Sequence, residues 1–127
     1  MDPASVFPRL PELVDGDAGL VRRGRFLSLS FIARSDDLPF HVTVAAGRVI
    51  RVERGPLLLR PSAFTVRAAA ATWRRFWEPV PKPGWHDLFA LIKAGRAEVE
   101  GDLLPFMANL QYFKDLLATP RRLAGGG

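Results

Sequence analysis

The chain of 127 residues has no cysteine. Disulfides, thiol nucleophiles and thiolate metal sites are thereby excluded, and nothing calls for an oxidising compartment. Histidine is nearly as scarce, with His41 and His86 alone. Imidazole metal clusters and Ser-His arrangements therefore have little to be built from. No stretch approaches the run of about eighteen apolar residues that a membrane span needs. The opening MDPASVFPRLPELVDG has no basic start and no long apolar centre, and its prolines do not suit a secretory signal. A soluble, cytoplasmic protein is expected. Gly-rich phosphate loops, nucleophile elbows and metal-ligand spacings are also missing, so no cofactor, metal or catalytic residue is assigned and the chain is not read as an enzyme.

What is present suits one globular domain: 48% of residues are apolar and 24% charged. A chain of this length removes roughly two thirds of its unfolded surface from water. The net charge of +5 is spread along the sequence rather than gathered in a run. That pattern offers nothing to a nucleic acid and leaves a solvated basic surface, or contact with an anionic membrane, as its reading.

Residues 1–19, with three prolines and DGDAG, are expected to form an irregular leader with one helical turn near Leu10 to Val14. RFLSLSFIA alternates, with Leu27, Leu29 and Phe31 on one face. FHVTVA repeats the pattern with Phe40, Val42 and Val44 inward and His41 outward. A hairpin at Gly47 leads to RVIRVER, with Ile50 and Val52 inward. AFTVRAAA gives a fourth strand, and Thr72 is placed to cap a short helix that stops near Pro79. WHDLFALIKAG is a second helix with Trp85, Leu88, Phe89 and Ile92 at helical spacing, and RAEVEG a fifth strand. Asp102 then caps a long helix, with Pro105 in its first turn, where a missing N–H costs nothing. At about 100° per residue, Leu103, Phe106, Met107, Leu110, Phe113 and Leu117 share one stripe, widened by Leu104 and Leu116.

The order of elements predicts an α+β domain over residues 20–118: a five-stranded, mainly antiparallel sheet with helices on one face, followed by a flexible tail over 119–127. The long apolar stripe has two readings, deep burial against protein or closure over something that is not protein. His41 and His86 are expected in surface or capping roles, Asp36 and Asp37 in a turn, and Glu98 and Glu100 on the solvated face. Lys114 falls on the apolar stripe and either snorkels or stands as a cation at a pocket mouth. In TWRRFWEP, Trp73, Arg74, Arg75 and Trp77 combine aromatics and arginines as a membrane-docking segment would, although core packing by at least one of the tryptophans is the safer expectation.

Three segments, FHVTVAAGRVIRVERG, FTVRAAAATWRRF and GRAEVEGDLLPFMANLQYFKDLL, occur in an order and spacing that resemble the sterol carrier protein type two family across residues 24–118. The resemblance implies a five-stranded sheet covered by helices with an apolar tunnel between them that accepts fatty acyl chains, sterols or isoprenoid lipids. It implies a binding module, free-standing or serving as an accessory in ubiquinone biosynthesis. Only the Gly101-Asp102 corner and the apolar positions of the following helix carry over. The candidate ligand-binding residues, taken from these positions together with the helical spacing of the preceding helix and the place of Lys114 on the stripe, are Phe89, Ile92, Phe106, Met107, Leu110, Phe113, Lys114 and Leu117. A partner enzyme, or a second copy of the chain meeting a fully packed domain, are the alternatives.

Overall fold

A computed structural model describes residues 1–55 and 60–125. Five strands, β1 (Leu29–Ser35), β2 (Leu38–Ala45), β3 (Arg48–Arg54), β4 (Phe64–Ala68) and β5 (Ala97–Gly101), form one sheet in the order β3-β2-β1-β4-β5. Neighbours are antiparallel except β1 and β4, which run parallel. A parallel pair needs a crossover. Of the connection from β3 to β4, Pro61 lies on the outer face with its carbonyl 3.2 Å from His41 Nε2. The leucines at 57–59 lie outside the described residues.

The α+β expectation holds, and so does the alternation in four strands. Phe31, Ala33, Phe40, Val42, Val44, Phe64, Val66, Ala68 and Ala97 are buried on the inner face. The third strand departs from it. The β2–β3 register shifts between Thr43 and Val44, so Val42 faces Val52 while Val44 faces Val49. This bulge places one extra residue in β3 and reverses the faces beyond it. Val49 is therefore buried, and Ile50, expected inward, is 59% exposed.

Residues 1–19 are not irregular. They form α1 (Pro3–Val6), a 3-10 turn (Phe7–Arg9) and α2 (Leu10–Asp15), and α3 (Ala18–Arg23) follows. Each proline sits at the start of a helical segment, where its fixed φ favours the helix and no N–H is lost. Phe7 is fully buried and packs against Phe40, Trp73 and Trp77, with ring centroids 5.2 to 5.3 Å apart. Leu10, Val14 and Leu20 are also in the core, so this segment is structural rather than a loose leader.

The remaining helices are α4 (Ala70–Phe76), α5 (Leu88–Lys93), α6 (Leu103–Ala108), α7 (Leu110–Ala118) and α8 (Arg121–Gly125). Ala69, not Thr72, stands at the start of α4, and Thr72 is buried within it. The tail expected to be flexible is helical in α8. Arg121 there donates to the Phe76 carbonyl from Nε (3.1 Å) and Nη2 (2.6 Å).

Candidate functional site

The sequence expectation sets an apolar ligand under α5, α6 and α7. Gly101 closes β5 with φ +103°, a conformation open to glycine, and a Cβ there would stand 2.9 Å from the Ala63 carbonyl oxygen. Asp102 then accepts from the Leu104 amide (3.2 Å), capping α6 as expected.

The expected single helix is broken. Asn109 adopts φ −123°, ψ 32°, and its side-chain amide donates to the Pro105 carbonyl (3.0 Å), the acceptor its own backbone N–H would take in a continuous helix. That backbone N–H turns instead to the Phe106 carbonyl (3.3 Å). The break divides the apolar stripe. Phe106, Phe113, Leu116 and Leu117 are buried, whereas Leu103 (47%), Leu104 (75%) and Met107 (50%) face solvent. Leu110 is half-buried against the core. Met107, expected to line a ligand site, instead stands half-exposed on the outer side of α6.

Below α6 and α7 the sheet and helices meet directly. Phe31 stacks on Phe64 (5.3 Å), and Phe113 stands edge-on to both, at 5.5 and 5.0 Å. Phe106 stands edge-on to Phe64 (5.2 Å) and stacks on Phe113 (5.9 Å). The expected vacant space between sheet and helix is filled by these rings. Two larger clefts lie elsewhere. One of about 730 Å³ is lined by Asp17, Arg23, Asp115 and Arg121, and another of about 550 Å³ by Arg34, Asp36, Arg67 and Arg96. Both are polar-rimmed and at the surface.

Helix α5 starts later than its apolar spacing suggests, because Asp87 is extended (φ −127°, ψ 123°) and accepts from the Phe89 amide (2.9 Å). Leu88 and Leu91 are consequently buried, while Phe89 and Ile92 are half-buried, Ile92 against the core. Lys114 does not stand at an apolar mouth. Its Nζ lies 3.1 Å from Asp87 Oδ1, tying α7 to the start of α5 beside a small polar cleft of about 190 Å³.

Membrane docking by residues 73–77 is also corrected. Trp73 and Trp77 are core residues, 1% and 0% exposed, donating from Nε1 to the carbonyls of Arg34 (3.0 Å) and Leu117 (2.8 Å). Buried indole rings need such partners. Arg74 donates to the Met1 carbonyl (3.2 Å), and Arg75 stacks over Trp85 at 4.8 Å.

Two polar side chains are buried against distant backbone carbonyls. His41 is 4% exposed because the Pro61 segment covers the outer face above it. A carbonyl can only accept, so Nε2 carries the proton, and Nδ1 has no partner among the described residues. Tyr112, which no spacing singled out, is buried and donates to the Gly47 carbonyl (2.6 Å), 65 residues away. Burial pushes its phenol up to about 12.

The aromatic walls neither hold nor move a proton. They can exclude water and make dispersion contacts, and nothing more. Among the described residues no group of three or more His, Asp or Glu is placed to hold a metal ion, and no helix is long and apolar enough to cross a membrane.

No family model matches the chain, and no curated protein matches it in sequence. Solved structures do match in fold. Sterol carrier protein 2 superposes with a TM-score of 0.67 at 14% identity, covering 95% of each chain. A conserved Thermus thermophilus protein described as a possible sterol carrier protein gives 0.66 at 13% identity, over 98% of this chain and 89% of that one. The UbiJ-SCP2 ubiquinone synthesis protein gives 0.59 at 20% identity, over 98% and 91%. The chain is SCP2-like in fold over nearly its whole length.

Proposed function

We propose that this SCP2-like chain binds a long apolar ligand, a fatty acyl, sterol-like or isoprenoid lipid, between its sheet and helices α5 to α7, and carries or presents it without making or breaking bonds. The observation that supports this most is an SCP2 fold whose interior is walled by Phe31, Phe64, Phe106 and Phe113. Since rings fill that interior, a ligand takes the place of one of them. Phe106 is the residue to yield. Helix α6 is six residues long, has Phe106 as its one buried residue, and is bounded by Gly101 and the break at Asn109. Exposing Phe106 costs up to about 3 kcal/mol, which roughly four buried methylenes offset at about 0.8 kcal/mol each. The rest of the chain must meet the cost of association, so long ligands are favoured over short ones.

The likeness to a ubiquinone synthesis protein makes isoprenoid quinone intermediates one ligand class to test, with a partner enzyme receiving them. The filled interior supports a second reading, a packed interaction domain that carries no ligand. Native mass spectrometry of freshly purified protein separates the two. Extra mass that is lost on denaturation and matches a lipid supports binding, and a ligand-free chain that takes up no added palmitate or isoprenoid quinone refutes it.

A further inference from the structure

We propose that the end of the domain bearing α6 and the turn before β1 docks on an anionic lipid bilayer, with Phe26, Leu103, Leu104 and Met107 entering the interfacial layer and Arg22 and Arg25 meeting the headgroups. The proposal deepens the apolar-ligand reading and rests on it for its purpose. Among the described residues seven large hydrophobic side chains stand exposed, and these four belong to one end of the sheet.

Their grouping follows from the hydrogen bonds. The Ala63 amide donates to the Ser30 carbonyl (2.7 Å), and the Ala63 carbonyl accepts from the Asp102 amide (2.8 Å). The chain entering β1 and the chain leaving β5 for α6 are thus joined through one residue at the start of β4. From the other side, the Leu27 amide donates to the Gly24 carbonyl (2.8 Å), making Arg25 and Phe26 the tip of a turn. Gly24 lies so close to the Tyr112 ring that a Cβ would come within 2.5 Å of it. That places the turn against the first turn of α7, directly after α6.

Phe26 at 89% and Leu104 at 75% exposed are projecting tips rather than the walls of a groove. A folded partner would need sockets shaped to both, whereas a fluid bilayer conforms to them. The charge beside them points the same way. The Arg25 guanidinium stacks over the Phe26 ring at 4.6 Å and donates to the Arg22 carbonyl (2.7 Å). Neither Arg22 nor Arg25 has an acidic partner among the described residues, although Arg23 between them pairs with Asp115 (2.6 Å). Arginine beside an aromatic is suited to headgroup depth. The helix that would touch the bilayer through Leu103, Leu104 and Met107 is the one that reaches the interior through Phe106. Docking would therefore load the same element that a ligand must displace.

The test is co-sedimentation of the full chain with vesicles of phosphatidylcholine alone and of equimolar phosphatidylcholine and phosphatidylglycerol. The wild-type protein is expected to bind the anionic vesicles and to be released by salt. The double variant Phe26→Ser/Leu104→Gln should bind at least about tenfold more weakly, and Arg25→Gln about fivefold. Val80→Ser, which alters a side chain 86% exposed in the segment after α4, should change nothing. Circular dichroism and thermal melts establish that each variant is folded. The proposal is overturned if the wild type ignores anionic vesicles, if the double variant binds as the wild type does, or if the same substitutions instead dissolve a dimer seen by light scattering. Palmitate uptake without vesicles keeps the two readings apart: vesicle binding with no uptake sinks the ligand reading alone, and uptake with no vesicle binding sinks docking alone.

Discussion

Replacing Phe106 with alanine should weaken the fold less than its burial suggests and at the same time open the interior. Truncating a buried phenylalanine costs about 3 to 5 kcal/mol in general. Phe106 is 2% exposed and loses two ring pairs, with Phe64 and Phe113. Helix α6, however, is held to the core through that one ring, so the loss is capped by the free energy of undocking α6, and about 2 to 3 kcal/mol is expected. Phe113→Ala is the comparison. Phe113 pairs with Phe31, Phe64, Phe106 and Tyr112 and sits within the longer α7, so the upper part of the range applies. Urea unfolding gives both values. Because Phe106 no longer competes for its site, Phe106→Ala should also bind palmitate more tightly, by up to roughly thirtyfold if about 2 kcal/mol of ring exposure is spared. An alanine variant that binds palmitate no better than wild type, or that is as destabilised as Phe113→Ala, would refute the reasoning.

Affinity should climb with acyl length, by up to about fourfold for each buried methylene. Isothermal titration with octanoate, dodecanoate and palmitate checks this, and a flat series contradicts it. Gly47→Ala should lower stability by about 2 kcal/mol or more, since φ is +81° and a Cβ would lie 2.5 Å from the Val21 carbonyl oxygen. An unchanged melting temperature would be the contrary result. Stability should also fall at high pH. The Tyr112 phenol is raised from 10.0 to about 12 in the fold. Below pH 10 both states are protonated and the group contributes no slope. Between about pH 10 and 12 the unfolded chain releases the proton first, so stability drops by about 1.4 kcal/mol per pH unit. Tyr112→Phe should remove that part of the slope in urea titrations, and an identical slope in the variant would contradict it.

Local patterns that repeat within one strand or one corner were legible in the sequence. Alternation identified the inner face of β1, β2, β4 and β5, and Asp102 with Pro105 marked the start of α6. Legibility ended where a distant or unusual partner intervened. The bulge that turns Ile50 outward depends on the register with β2, which no single strand declares. The N-terminal prolines looked like breakers, yet each begins a short helix whose burial comes from Phe40 and Trp73 far along the chain. The helical wheel over 103–117 assumed one continuous axis. The Asn109 side chain interrupts that axis, sending Phe106 inward and Met107 outward. His41 was placed on the correct face, but the Pro61 carbonyl that meets it could not be seen from its strand. Whether the apolar stripe meets protein or lipid was open for a deeper reason: a lined cavity and a packed core need the same side chains.

Amide chemical shifts followed while palmitate is added address the exchange of a ring for a ligand most directly. The account predicts saturating shifts over residues 103–109 and at Phe64 and Phe113, with faster hydrogen exchange in α6 once ligand is bound. Shifts confined to the surface clefts around Arg121 or Arg34, or none at saturating palmitate, would contradict it.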